Sequence, residues 1–305
     1  LPRPCRLAIL PAGDFSGGAE MAAGMTTPEM LRRLVAFDTT SAKSNLAIID
    51  FIRDYLAAHG IACRLTPSAD GDKANLFATI GPEIPGGIVL SGHTDVVPVV
   101  GQPWDSDPFA VVERGGKLYG RGTSDMKGFI AAVLVLVPEM IKARLRLPLH
   151  FAFSYDEELG CLGVGDLIQD VVRNLPRPAI CLIGEPTLMQ LVNRHKGVYS
   201  WRTTVTGKDG HSSAPQHGVN AIAAAAEIVA WLVRQAESWR RDGPFDDSFE
   251  PPYATGNIGE IRGGTAINII ARECVIDWEF RPIPGVDADA AAARLQGFID
   301  GELLP

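Results

Sequence analysis

The sequence predicts an α/β protein built on a mostly parallel sheet, joined to a small α+β domain of β-α-β-β-α order. Three observations carry this. Between residues 28 and 191 helical stretches alternate with short apolar runs of strand length. Beyond that point the alternation gives way to longer, half-buried strands around two helices. Acidic and histidine residues follow directly on three of the apolar runs, which is where open α/β sheets carry their sites.

In chain order, 28–38 and 44–59 read as helices, with 61–65 and 76–80 as strands after them. The run 88–90 is a further strand, and 128–143, rich in alanine and valine, is a helix. Strands 149–154 and 180–183 complete the first domain, expected to span 26–193. In the second domain, 194–305, residues 198–206 alternate as a strand, 219–238 form a helix, 255–261 and 274–281 are strands and 287–299 is a helix. The acidic, proline-bearing stretch 242–252 is an exposed connection. Residues 1–25, ahead of the first helix and holding Met21 and Met25, are expected to be a leader without a structural role.

Composition narrows the function. The chain of 305 residues is 46% hydrophobic and 21% charged, enough for a large core. Five cysteines with no Cys-x-x-Cys pair argue against a disulfide framework or a thiolate zinc site, and for a reducing, cytoplasmic compartment. A net charge of -8 leaves no basic stripe for nucleic acid. The apolar run 129–137 is far short of the roughly 20 residues that span a bilayer. Leu7 to Leu10 is too short for a signal peptide's apolar region. A small-molecule substrate is expected.

Four motifs carry chemistry: Ser91-Gly92-His93-Thr94-Asp95, Gly122-Thr123-Ser124-Asp125-Met126-Lys127-Gly128, Asp156-Glu157-Glu158 and Gly184-Glu185-Pro186-Thr187. Each holds a residue that binds a borderline divalent ion, and together they describe a hydrolytic two-metal site. His93 offers an imidazole, and Asp95 two residues on can fix its tautomer. Asp125 sits among small residues that let an ion approach, and a carboxylate can bridge two cations. Of the adjacent Glu157 and Glu158, one can ligate while the other takes a proton from water. Taken singly, these would be a loop hydrogen bond, a helix N-cap, an acidic helix start and a turn carboxylate. Their joint occurrence in this order outweighs those readings. His59, His150 and His217 gain no role from spacing.

The motif order resembles the metal-dependent amidohydrolases of the peptidase M20 family, over about residues 28–294. Trp104-Asp105-Ser106-Asp107-Pro108-Phe109, His195-Lys196-Gly197, Gly210-His211-Ser212-Ser213, Gly218-Val219-Asn220-Ala221-Ile222 and Phe280-Arg281-Pro282-Ile283-Pro284-Gly285 look like its deacetylase branch. The resemblance implies a catalytic domain with an inserted lid domain that forms a homodimer. It also implies two divalent ions, zinc or else cobalt or manganese. His93 and Glu185 would hold one ion, Asp125 would bridge and Glu158 would hold the other. Glu157 would be the general base and Asp95 the partner of His93, with a cis peptide after Asp125. His211 would reach across the dimer to polarise the scissile carbonyl, and Asn268 and Arg281 would bind the substrate, arginine through its planar fork.

The implied reaction is hydrolysis of N-acetyl-L-ornithine to ornithine and acetate by metal-activated water, a step of arginine biosynthesis. N-succinyl-diaminopimelate desuccinylase and general aminoacylase activities use the same core with another acyl pocket. The family's second ion takes one more histidine near the C-terminus, and no histidine follows Arg281 here. The expectation is therefore a C-terminally truncated member with an incomplete second site. An inactive chain that still dimerises or binds ligand is the reading of a different class.

Overall fold

In this computed structural model, residues 24–303 are described, and the chain divides between Gln190 and Leu191 into two units. The expected leader, 1–25, lies outside the described residues apart from its last two. Helix α1 (Thr27–Val35) starts where the Thr26 N–H donates to the Glu29 carboxylate at 2.8 Å, with Pro28 in a first turn that needs no donor. It buries Met30, Leu31, Leu34 and Val35, while α2 (Leu46–Ala58) buries Ile48, Ile49, Ile52, Tyr55 and Leu56, both at helical spacing.

The strands of the first unit are β1 (Cys63–Pro67), β2 (Ala74–Ile80), β3 (Ile88–His93), β4 (Val112–Arg114), β5 (Lys117–Tyr119), β6 (Leu149–Ser154) and β7 (Ile180–Ile183). Five of them form one sheet in the order β1-β2-β6-β3-β7. The expectation of a mostly parallel sheet is corrected: β1–β2 and β2–β6 are antiparallel, β6–β3 and β3–β7 parallel, so the sheet is mixed. The link 68–73 between β1 and β2 is too short for the crossover of a dozen or more residues that a parallel pair requires. Strands β4 and β5 form a separate hairpin whose Gly115 and Gly116 both take positive φ, as its tight turn demands.

The helix expected over 128–143 is two, α3 (Lys127–Val135) and α4 (Val137–Lys142). Pro138 lacks an N–H and its ring clashes with the carbonyl four residues back, so the helix restarts there. Helix α5 (Val164–Asn174), an element beyond those expected from the sequence, packs Leu167 against Phe77, Val89 and Ala152. On the other face, Phe151 and Phe153 join Ile130, Leu134 and the buried residues of α1 and α2 in the main core.

His150 on β6 is buried, with Nδ1 hydrogen-bonded to the Thr79 hydroxyl at 2.9 Å. Burial holds its pKa below the ordinary 6.5. The unfolded chain therefore binds more protons just below that pH, so the stability contribution is complete above 6.5 and lost as pH falls through the folded value. Unfolding free energy measured against pH is expected to fall less steeply below 6.5 in His150→Asn than in the parent.

The second unit holds β8 (Tyr199–Thr206), β9 (Gly210–His211), α6 (Ala221–Asp242), β10 (Thr255–Gly263), β11 (Ile269–Ile270), β12 (Glu273–Arg281) and α7 (Ala288–Phe298). Its sheet is antiparallel in the order β10-β12-β8, and the short β9–β11 pair stands apart. Asn220 caps α6 by accepting the Ile222 N–H at 3.0 Å. Alternation along β12 buries Cys274, Ile276, Trp278 and Phe280 against Ala225, Ile228, Leu232 and Trp239 of α6 and Ala291 and Leu295 of α7. The stretch 242–252 is less open than expected, because Phe249 is buried within it. Among the described residues, no helix is long and apolar enough to cross a membrane.

Candidate metal centre

Parallel pairing decides which loops meet. In β3 and β6 the partners run to His93 opposite Ser154, and in β3 and β7 to Ser91 opposite Ile183. All three strands therefore end on one edge, and the chain leaves that edge as Asp156-Glu157-Glu158 and Gly184-Glu185. Gly184 donates its N–H to the Ser91 carbonyl at 3.0 Å, and a Cβ there would come within 2.0 Å of the Phe129 ring. Only glycine fits that approach.

Asp125 arrives on the loop entering α3. Gly122 takes φ 80°, and a Cβ on it would fall 2.8 Å from Val96 Cγ1, so the loop winds too tightly for a side chain at that point. The Asp125–Met126 peptide is cis. Met126 takes the N-cap position of α3, and the Asp125 carboxylate turns instead to His93.

The imidazole of His93 is the centre of the cluster. Its Nε2 lies 3.0 Å from Asp125 Oδ1 and 3.7 Å from both Glu157 Oε2 and Glu185 Oε1. Two overlapping sets, His93–Glu157–Glu185 and His93–Asp125–Glu158, bring their ligand atoms within 4.8 Å of one another. On the far side, Nδ1 is 3.0 Å from the Asp95 main-chain oxygen and 3.5 Å from its carboxylate. The buried Asp95 carboxylate also accepts the Ser41 hydroxyl at 2.8 Å and the N–H groups of Glu157 and Glu158, each at 3.2 Å. Ser41 was not singled out in the sequence.

The cluster is short of positive charge. Burial and the neighbouring Asp125 carboxylate push the Glu158 pKa up, and burial with the same neighbour raises that of Glu185. Burial pulls His93 down, but the hydrogen bonds its ring N–H groups donate to Asp125 and Asp95 outweigh it and carry the imidazole to about 11. Among the described residues, no lysine or arginine bonds to Asp125, Glu157, Glu158 or Glu185. Lys127, wholly buried nearby in sequence, donates to the Phe37 carbonyl at 2.8 Å. An imidazole with converging carboxylates and uncompensated negative charge fits divalent cations that accept nitrogen and oxygen donors.

The remaining expected residues lie in the second unit. His211 on β9 is exposed, and its Nδ1 accepts the Ser213 N–H at 3.2 Å, which leaves the proton of the neutral ring on Nε2. Ile269 pairs with His211 across β9 and β11, and the main-chain carbonyl of the adjoining Asn268 accepts the Ser212 N–H at 3.0 Å. Arg281, at the end of β12, is exposed and held by Glu279 through bonds of 3.0 and 3.1 Å.

Comparison with known proteins places this arrangement. Residues 89–296 match the sequence profile described as Peptidase family M20/M25/M40. The acetylornithine deacetylase of Pasteurella multocida (strain Pm70) is 37% identical over 265 residues, covering 85% of this chain and 68% of that protein. That of Proteus mirabilis (strain HI4320) is 37% identical over 267 residues, covering 85% and 67%. The M20 family metallo-carboxypeptidase Sso-CP2 from Sulfolobus solfataricus shares the fold with a TM-score of 0.73 at 17% identity, over 90% of this chain and 75% of that one. The Bacillus subtilis YXEP protein, described as a dinuclear metal-binding peptidase, does so with a TM-score of 0.57 at 18% identity, over 94% and 70%. With the profile covering most of the chain, and relatives at this identity aligned over two thirds of their length, the chain belongs to peptidase family M20/M25/M40.

Proposed function

We propose that this protein removes the acetyl group from N-acetyl-L-ornithine, giving ornithine and acetate in the cytoplasm. The observation that carries the hydrolytic reading is the convergence of His93, Asp125, Glu157, Glu158 and Glu185. The acetyl substrate is supported by the name of the 37% identical relatives. His93 and Glu185 would hold one ion and Glu158 the other, with Asp125 available to both; zinc is the expected metal, and cobalt or manganese suit the same donors. Bound there, divalent ions would supply Lewis-acid polarisation of the acyl carbonyl and a water acidic enough to attack it.

The chain's own groups do the rest. A divalent ion would displace the Nε2 proton of His93, and the Nδ1–H directed at Asp95 would then leave Nε2 as the lone-pair nitrogen. Glu157 is half-exposed beside the cluster, placed to take the proton of the attacking water and pass it to the leaving amine. His211, with its proton on Nε2, is a donor for the developing oxyanion of a partner subunit, and the second unit is the dimerisation module. Asn268 and Arg281 bind the amino-acid end of the substrate, the guanidinium exchanging Glu279 for the α-carboxylate. The protein carrying this chain, assayed on N-acetylornithine, N-succinyl-diaminopimelate and N-acetylmethionine, is expected to show its highest kcat/KM on the first. A higher value on the succinylated substrate would move it to the desuccinylase branch.

A further inference from the structure

Lys73 stands just before β2, outside every motif that the sequence offers. Its ammonium donates to the Asp156 carboxylate at 2.5 Å and to the Ser41 carbonyl at 2.6 Å. The two side chains of this ion pair are only 16% and 13% exposed. Asp156 is the residue before Glu157, and its φ of 55° lies in the left-handed region that side-chain-bearing residues rarely adopt. Such a conformation persists only where the surroundings over-determine it. Here the Leu162 N–H donates to the Asp156 carbonyl at 3.0 Å, and Lys73 grips the carboxylate.

These contacts close a ring. From Asp156 the main chain runs to the Glu157 and Glu158 N–H groups on the Asp95 carboxylate, which accepts the Ser41 hydroxyl, and the Ser41 carbonyl returns to Lys73. The ring joins the support of His93 to the loop that presents Glu157 and Glu158. We propose that Lys73 is a positioning residue of the metal centre, whose ammonium fixes Asp156 and through it the direction of the Glu157 and Glu158 carboxylates. This rests on the reading that those carboxylates serve divalent ions.

Charge and position act in opposite directions, which makes the idea testable. Removing a cation near a cation site tightens metal binding by Coulomb's law. Removing a tether that aims the ligands weakens it. The parent chain, Lys73→Met, Lys73→Arg and the double variant Lys73→Met/Asp156→Asn are titrated with Co²⁺ against a chromophoric chelator, with circular dichroism to confirm folding. Lys73→Met and the double variant are expected to bind Co²⁺ on the order of tenfold more weakly than the parent, while Lys73→Arg keeps nearly the parent affinity. Folded Lys73→Met that binds Co²⁺ as tightly as the parent, or more tightly, overturns the proposal. Should Lys73→Met not fold, the double variant decides, because it removes both charges and strands neither. A parent that takes up no Co²⁺ overturns the metal reading itself, an outcome distinct from a parent and variant that bind alike.

Discussion

Glu157→Gln in the protein carrying this chain is expected to lower kcat by about 10²–10⁴-fold while leaving bound zinc unchanged. The substitution keeps the shape and the hydrogen-bonding reach of the side chain and removes only its capacity to accept a proton. Glu158 supplies the ligand in the set with His93 and Asp125, and Glu185 supplies one beside His93, so neither ion depends on Glu157 alone. In free-energy terms the loss corresponds to roughly 3–5 kcal/mol of transition-state stabilisation, at about 1.36 kcal/mol per factor of ten. Single-turnover rates with parallel zinc analysis check it. A variant that loses zinc and regains turnover when zinc is added would exchange the roles of Glu157 and Glu158.

His93→Ala is expected to have the largest effect on metal content. Its Nε2 is the nitrogen donor common to both candidate sets, so one substitution removes the imidazole from the cluster whichever set forms, and it leaves four carboxylates facing one another. The fall in zinc affinity should exceed the about 10–100-fold that loss of a supporting partner alone brings. Asp95→Ala, which removes such a partner, provides that smaller reference in the same titration.

The chemistry of the centre was legible because His93, Asp125, Glu157, Glu158 and Glu185 stand in short motifs at strand ends, where residue type and position both carry information. The helices α1, α2 and α6 were legible because each buries one face at helical spacing. The sheet's mixed character was not. Strand direction depends on how six-residue links and longer crossovers are routed, which periodicity does not encode. Helix α5 does carry Val164, Leu167, Ile168, Val171 and Val172 at helical spacing, whereas β9 and β11 were hidden because two residues show no alternation. Ser41 and Lys73 were invisible for another reason: each acts through groups distant in sequence, Ser41 on Asp95 and Lys73 on Asp156.

The central claim is that these five side chains form a metal centre, and zinc analysis tests it most directly. The parent chain and His93→Ala are stripped with chelator, equilibrated with excess zinc, dialysed and analysed by atomic emission. The parent is expected to retain zinc in at least equimolar amount and His93→Ala to retain almost none. A folded parent that retains no zinc, or a His93→Ala variant that retains as much as the parent, would contradict the account.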